Sequence, residues 1–302
     1  IRDRHSDEEE IAVDFANGLY NLTCVQDEQS MDKTVACLER LSREHSDVAE
    51  ITTRFAHGMV NLIAKQDEQK AEKTVAYLEK LYREHSDIVE ITVYFAHGMF
   101  NLIIKQDEQK AEKTIARLEK LYREHSNVLE IAIDFADGLF NLVHVQDEQN
   151  AEKTIMRLER LSRERIDVVE ITTRFAGGLV MLASKQDKQK AERTVTRLEK
   201  LFKEHSDKTE IAIKFANGLY NLSCKQDKQG VERTVARLWR ISREYSDVVE
   251  ITIFFATGLL NLSCIQNERD AVRTVVYLER LFREHPNVEK IVSVSYTHLR
   301  AH

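Results

Sequence analysis

The sequence contains the stretch FANGLYNL at Phe15–Leu22 and, 40 residues later, the stretch FAHGMVNL at Phe55–Leu62. Five more copies follow at the same displacement, with no insertion or deletion between them. Self-similarity at a fixed period of this length is typical of proteins in which identical supersecondary units stack on one another. The period therefore predicts a repeat array that presents a long surface, with binding as its default function.

The first half of each repeat has the apolar pattern of a helix. In residues 47–86 the positions that share one helical face are Ile51, Phe55, Met59 and Leu62. Asp47 followed by Glu50 has the form of a capping box, which predicts that the helix begins there and runs to about Lys65. A second apolar row lies nearly opposite, at Tyr20, Val60, Phe100, Phe140, Val180, Tyr220 and Leu260. A helix that is apolar on two sides is packed on two sides, so we expect the first helices to form the inner layer.

The second half of each repeat predicts another helix. Asp67 is expected to cap it, and it ends near His85, after which Asp87 is expected to cap the next repeat. Its apolar set is Ala71, Val75, Leu78, Leu81 and Tyr82. A glycine recurs in the middle of every first helix, from Gly18 to Gly258. Because a mid-helix glycine costs about 1 kcal/mol relative to alanine, we interpret this position as one of close helix packing.

These patterns predict an all-α fold, an α-solenoid (a right-handed superhelix) of seven 40-residue helix-turn-helix repeats. The expected units are 7–46, 47–86, 87–126, 127–166, 167–206, 207–246 and 247–286, in one array over residues 1–291. Residues 292–302 leave the pattern and look like the translation of a sequencing-library adaptor, so we interpret them as a non-native tail. Both ends cut the pattern, so we expect a fragment of a longer bacterial array from metagenomic reads, with uncapped ends that self-associate.

The repeat resembles the tetratricopeptide repeat over residues 1–291. The resemblance rests on a small residue in the first helix, on Ala71 early in the second, and on the aromatic and leucine stacking positions. The chain departs from that family, whose unit is about 34 residues and closes with a proline, since only Pro286 occupies such a turn. The run Gly18–Leu22 also looks like the Asn-Leu signature of armadillo repeats, so an armadillo or HEAT-like array is the weaker alternative. Each of these resemblances implies a surface that binds a protein or peptide.

Composition disfavours several other classes of protein. The formal net charge of -7 disfavours nucleic acid, since phosphate binding needs a basic stripe. No stretch approaches the roughly 18 apolar residues of a membrane span and no basic, apolar leader opens the chain, so we expect a cytoplasmic protein with no membrane partner. No metal-ligand spacing of His or Cys and no glycine-rich phosphate loop occurs. We therefore expect no catalytic residue, no metal and no cofactor, and the four cysteines are expected to be reduced.

Positions at which the copies differ are candidates for partner recognition. On the first helix two such columns lie three residues apart, and a recurring asparagine follows four residues later, so the three share a face. The first column gives Asp14, Arg54, Tyr94, Asp134, Arg174, Lys214 and Phe254. The second gives Asn17, His57, His97, Asp137 and Asn217. The asparagine row is Asn21, Asn61, Asn101, Asn141, Asn221 and Asn261.

The asparagine row has two interpretations. Each amide offers one acceptor and two donors, so the row would clamp the backbone of an extended peptide. Alternatively, each amide bonds a loop within the protein. On the second helix, a further varied column contains Arg117, Arg157, Arg197 and Arg237, which predicts a positive strip on the outer surface.

We therefore expect a non-enzymatic scaffold that binds a protein or peptide on the concave face formed by its first helices. The alternatives are a helical repeat that binds nucleic acid and a regulatory region of a larger enzyme.

Overall fold

The computed structural model describes residues 2–284, which form fourteen α-helices. The predicted tail at 292–302 lies outside the described residues. The helices are α1 (Arg2–Val25), α2 (Glu28–Glu44), α3 (Ala49–Lys65), α4 (Glu68–Glu84), α5 (Val89–Ile103), α6 (Glu108–Glu124), α7 (Leu129–Val145), α8 (Glu148–Glu164), α9 (Val169–Lys185), α10 (Lys188–Glu204), α11 (Thr209–Ser223), α12 (Lys228–Glu244), α13 (Val249–Ser263) and α14 (Glu268–Glu284). Odd-numbered helices are the first helices of the repeats and even-numbered helices are the second, which confirms the all-α fold of two helices per repeat.

The chain divides into two compact units, residues 1–145 and 146–302. In the first unit, α3 packs against α1, α2, α4 and α5. In the second unit, α11 packs in the same way against α9, α10, α12 and α13. First helices therefore touch first helices of neighbouring repeats as well as second helices. Each unit is an α-solenoid in which the first helices form the inner layer, as the two-sided apolar pattern predicts.

The recurring glycine marks close helix packing, as predicted. A Cβ atom on Gly98 would lie 2.9 Å from Cδ2 of Leu78 and 3.1 Å from Cδ1 of Ile63. In the second unit, a Cβ atom on Gly218 would lie 2.6 Å from Cδ2 of Leu198. The leucine of the preceding second helix therefore fills the space above the glycine, and packing there offsets the low helix propensity of glycine.

The predicted cap of the second helix is confirmed, and the predicted cap of the first helix is wrong. Asp67 accepts a hydrogen bond from the backbone N–H of Lys70 at 2.9 Å. The N-cap of α3, however, is Val48, with no side-chain cap, and Ile88 stands in the place predicted for Asp87. Backbone bonds close this turn instead, since the Val48 N–H donates to the His45 carbonyl at 3.0 Å.

A hydrogen bond between a glutamine and a threonine eight residues later recurs in every repeat, which the sequence analysis did not predict. The glutamine is buried at Gln66, Gln106, Gln146 and Gln186 and half-buried in the other three copies. Thr114 Oγ1 donates to Gln106 Oε1 at 2.7 Å, and both side chains are buried. The same bond joins Thr34 to Gln26, Thr74 to Gln66, Thr154 to Gln146, Thr194 to Gln186, Thr234 to Gln226 and Thr274 to Gln266. The signal in the sequence was an invariant glutamine followed by threonine eight residues later. This bond links the segment that follows the first helix to the second helix of the repeat.

The first copy of the stretch differs from the others in burial. Phe15 is 54% exposed and Leu22 is 46% exposed, whereas Phe55 and Leu62 are 2% and 5% exposed. Within the described residues, α1 packs only against α2 and α3, so no second helix covers this side of it. The prediction that the apolar stripe builds the stack is therefore correct for the later copies and wrong for Phe15 and Leu22.

Candidate functional site

Residues of the two varied columns meet between neighbouring first helices. Arg54 Nε donates to Asn17 Oδ1 at 2.5 Å, and the Arg54 guanidinium lies 5.6 Å from the ring centroid of Tyr20. The first-column residue of one repeat thus lies against two residues of the preceding repeat, one 37 and one 34 positions earlier. We use the name inter-repeat site for the three residues at these equivalent positions. By this register the first unit has Asn17/Tyr20/Arg54, His57/Val60/Tyr94 and His97/Phe100/Asp134, and the second unit has Gly177/Val180/Lys214 and Asn217/Tyr220/Phe254.

Aromatic rings connect the first two inter-repeat sites. The His57 ring lies 4.4 Å from the Tyr20 ring and 4.5 Å from the Tyr94 ring, measured between centroids. The Tyr94 ring in turn lies 6.3 Å from the ring of His97. Burial, together with the nearby His97 and Arg54, lowers the pKa of His57 to about 4, so this imidazole is neutral at pH 7. The four rings form a half-buried ladder that planar groups could extend by stacking.

The third inter-repeat site contains a buried carboxyl group. Asp134 is 5% exposed and is the one acidic or basic residue among the buried residues of the described part of the chain. Its Oδ2 lies 3.3 Å from Nε2 of His97 and has no hydrogen-bond partner. Burial raises the pKa of Asp134 to about 8, with the charges of Asp137 and Glu130 adding to the rise. The carboxyl group is therefore protonated at pH 7.

The two sites of the second unit are less polar. The rings of Tyr220 and Phe254 lie 6.0 Å apart between centroids. Lys214 is half-buried, and Gly177 and Val180, at the other two positions of its site, are both buried. Neighbouring sites therefore differ in charge, size and aromatic content although the helices around them are alike.

The asparagine row is only partly occupied by internal hydrogen bonds. Asn61 Nδ2 donates to Thr23 Oγ1 at 2.9 Å, and Asn261 Nδ2 donates to Ser223 Oγ at 3.0 Å. Asn141 Nδ2 donates to the carbonyl of Asp137, on its own helix, at 2.9 Å. The same nitrogen of Asn61 also donates to Cys24 Sγ at 3.8 Å, and that of Asn261 donates to Cys224 Sγ at 3.2 Å. Asn61 and Asn261 therefore each make two hydrogen bonds through the amide nitrogen, and Asn141 makes one.

Asn101 and Asn221 differ from the rest of the row. Their side chains are half-buried, and they have aliphatic Ile63 and Ala183 where Asn61 and Asn261 have a hydroxyl partner. The hydrogen bonds of the described residues include none from either amide. The row is therefore neither fully buried nor fully bonded, so the peptide-clamp hypothesis stays a prediction, with Asn101 and Asn221 as its best-placed members.

The remaining predicted residues lie on the same helices with varying exposure. Asp14 and Asn21 are exposed, on α1. Asp137, Arg174 and Asn217 are half-buried, on α7, α9 and α11.

The predicted positive strip on the second helices is wrong for three of its four arginines. Arg117 forms an ion pair with Glu79 at 2.7 Å, and Arg237 forms one with Glu199 at 2.7 Å. Arg197 forms two ion pairs, with Glu152 at 2.8 Å and Glu159 at 3.0 Å. Each partner is a glutamate of the preceding repeat. The charges of these arginines are thus balanced locally and do not add up to a basic stripe.

Comparison of the chain with protein-family models, with curated proteins and with solved structures finds no match. Within the described residues, no helix is both long and apolar enough to cross a membrane. The same part of the chain holds no group of three or more His, Cys, Asp or Glu side chains placed to bind a metal ion. The four cysteine thiols are free.

Proposed function

We propose that the chain is a non-enzymatic scaffold of the tetratricopeptide-like type, which binds a protein or peptide on the face formed by its first helices. The observation that carries this proposal is the inter-repeat site. The helices repeat, but the side chains in the sites change from a guanidinium at Arg54 to a carboxyl at Asp134 and a phenyl ring at Phe254. A surface with a constant frame and variable groups can select one partner among many.

The amides of Asn101 and Asn221 support recognition of a peptide backbone. Each is half-buried, on a first helix, and has both donors and its acceptor available. An extended peptide presents one N–H and one C=O per residue, which matches an amide side chain in both senses. The scaffold therefore binds the backbone of the peptide through these amides and recognises the side chains of the peptide through the inter-repeat sites.

Binding of nucleic acid is the alternative that the charges favour least. The outer arginines are paired with glutamates, as described for Arg117, Arg197 and Arg237. Exposed glutamates recur at one position of the first helices, at Glu10, Glu50, Glu90, Glu130, Glu170, Glu210 and Glu250. A phosphate backbone would be repelled by that row of carboxylates.

Selection from a random peptide library displayed on phage tests the proposal. The full chain is immobilised, and selected peptides are then measured by fluorescence anisotropy against the wild type and against an Asn101→Ala/Asn221→Ala variant. Because each removed amide deletes hydrogen bonds to the peptide, we expect affinity to fall about tenfold.

The matched control is an Arg40→Ala/Lys113→Ala variant, which removes two exposed side chains of second helices. It should bind the selected peptides as the wild type does. Peptides that keep full affinity for the asparagine variant would contradict the proposal, as would a library that yields no binder. Salt-dependent binding of single-stranded RNA or DNA in place of peptides would favour the alternative.

A further inference from the structure

The first inter-repeat site shows how this surface holds a cation. The guanidinium of Arg54 is bound by Asn17 Oδ1 at 2.5 Å, by the Tyr20 ring at 5.6 Å and by Glu50 Oε1 at 3.4 Å. These contacts combine a charge-assisted hydrogen bond, a cation–π contact and an ion pair. One polar side chain, one aromatic ring and one glutamate thus form the binding groups, and the chain itself supplies the cation.

The third inter-repeat site keeps the binding groups and lacks the cation. His97 corresponds to Asn17, Phe100 to Tyr20 and Glu130 to Glu50, at the 80-residue displacement of two repeats. The position of Arg54 is taken by Asp134, whose Oδ2 is buried and accepts no hydrogen bond. The third site therefore lacks the arginine and has instead a carboxyl group with an unpaired oxygen, at the position from which the guanidinium extends two repeats earlier.

We infer that the site formed by His97, Phe100, Glu130 and Asp134 binds an arginine or lysine side chain of the partner peptide. The cation takes the place that the Arg54 guanidinium holds in the first site, against the ring of Phe100 and between the carboxylates of Glu130 and Asp134. The inference rests on the proposed function and adds to it the chemistry of the partner, which is a basic peptide.

The charge of the first helices in the first unit agrees with a basic partner. Glu10, Glu50, Glu90 and Glu130 are exposed at equivalent positions, and Arg54 is the one Lys or Arg in the two varied columns and the asparagine row of this unit. A row of carboxylates on one face raises the local concentration of a cationic ligand and speeds its association.

Access to the buried carboxyl group runs past His97. Its ring nitrogen Nε2 lies 3.3 Å from Asp134 Oδ2, and 38% of the His97 side chain is exposed. Rotation of this imidazole toward solvent uncovers Oδ2 for the ligand. The pKa of Asp134, raised by burial and by the charges of Asp137 and Glu130, falls when a cation binds, so binding at pH 7 releases a proton.

Titration with a single cationic side chain tests the site. The probe is N-acetylarginine methylamide, and its neutral counterpart is N-acetylcitrulline methylamide, which has nearly the same shape. The full chain is labelled in its histidines, and the ring signals of His97 are followed by NMR. We expect the arginine probe to shift the His97 signals at concentrations about tenfold below those that the citrulline probe requires, because ionic hydrogen bonds are stronger than neutral ones.

Two variants of Asp134 locate the effect. Asp134→Asn keeps the shape of the side chain but cannot release a proton and become charged when a cation binds, so it should remove the preference for arginine over citrulline. Asp134→Arg supplies the cation from the chain itself, as Arg54 does in the first site, and should abolish the response of His97. Arg54→Ala is the positive control, because it empties the first site and should create a response to the arginine probe at His57.

Equal responses of the wild type to the two probes would overturn the inference, whether or not the variants fold, and so would an unchanged preference in Asp134→Asn. The proposed function fails separately. If the selected peptides bound the first-helix face but were not enriched in arginine or lysine, this inference would be contradicted and the scaffold proposal would stand. If His97 responded to the arginine probe but the library yielded no peptide binder, the scaffold proposal would fail and the cation site would stand.

Discussion

At the scale of single residues, two repeats contain a pair of hydroxyl groups between helices, and a third repeat keeps only one member of the pair. Ser42 Oγ lies 2.9 Å from Thr52 Oγ1, and Ser162 Oγ lies 3.1 Å from Thr172 Oγ1, so both hydroxyls of each pair are satisfied in a buried place. Thr92 has the same position as Thr52, but Tyr82 replaces the serine. As a result, the buried Thr92 Oγ1 has no hydrogen-bond partner. A buried hydroxyl without a partner costs roughly 1 to 3 kcal/mol.

Thr92→Val should therefore stabilise the protein by about 1 kcal/mol, since the valine keeps the shape and removes the unpaired hydroxyl. Thr52→Val is the matched control, and it should destabilise by about 1 kcal/mol because it leaves Ser42 without its partner. Urea unfolding followed by circular dichroism measures both changes. Equal effects of the two substitutions would show that the hydroxyl of Thr92 is satisfied.

Asp134 should make stability depend on pH. Its pKa is raised to about 8 in the folded protein, against about 3.9 in an unfolded chain, so the folded state binds the proton more tightly. The free energy of unfolding therefore falls as pH rises from about 4 to about 8, by up to roughly 1.4 kcal/mol per pH unit. Above about pH 8 this contribution no longer changes with pH.

Asp134→Asn should remove this part of the pH dependence and raise the stability at pH 8. Asp14→Asn changes the exposed aspartate at the same position of the first repeat, and its unfolding should follow the wild type at each pH. The measurement is the urea midpoint between pH 5 and pH 8. A wild type and Asp134→Asn with parallel profiles would contradict the buried, protonated carboxyl.

At the scale of the helices, the sequence predicted the helices well, but it predicted the helix caps and the connections between helices poorly. The apolar period gives the helices directly, because side-chain spacing alone decides which residues share a face. The cap at Asp47 failed because the turn after His45 is closed by backbone bonds, which leave no trace in side-chain type. The bond between Gln106 and Thr114 was missed although both residues recur in every copy, since a glutamine after a helix is ordinarily interpreted as a surface residue.

The recurring glycine gives a matched test of helix packing. Gly98→Ala places a Cβ atom 2.9 Å from Leu78, so we expect a loss of about 1 to 2 kcal/mol from overpacking, in spite of the better helix propensity of alanine. Gly18→Ala meets nothing within 4 Å. At that site the gain in helix propensity should stabilise the protein by about 0.5 to 1 kcal/mol.

Thermal and urea unfolding of these two variants measure the difference. A stabilising Gly98→Ala would mean that Leu78 and Ile63 move aside freely and that close packing does not explain the glycine.

At the scale of the whole molecule, the sites were harder to predict than the fold because they depend on register between repeats. The columns of Asp14 and Asn17 could be identified by comparing copies. That Arg54 meets Asn17 and Tyr20 follows only from the packing of α3 on α1, which places residues 34 and 37 positions apart side by side. Asp134 is the one buried residue of the first column. Its sequence neighbours do not reveal this burial.

Association between copies is the last consequence of the stacking. On α1, Ile11 is 68% exposed and Phe15 is 54% exposed, whereas the equivalent Ile51 and Phe55 on α3 are 0% and 2% exposed. Burying such apolar surface is worth roughly 25 cal/mol per Å², so we expect copies of the chain to associate through α1.

Sedimentation velocity at increasing concentration should show a rising average mass, and Ile11→Ser/Phe15→Ser should shift the onset of association to higher protein concentration. Val272→Ser/Val276→Ser changes two exposed valines on α14 and serves as the control, because those residues continue the solvent-facing side of the second helices. A wild type that stays monomeric over the whole range would show that the exposed face of α1 is tolerated in water and that the repeats do not need a neighbour there.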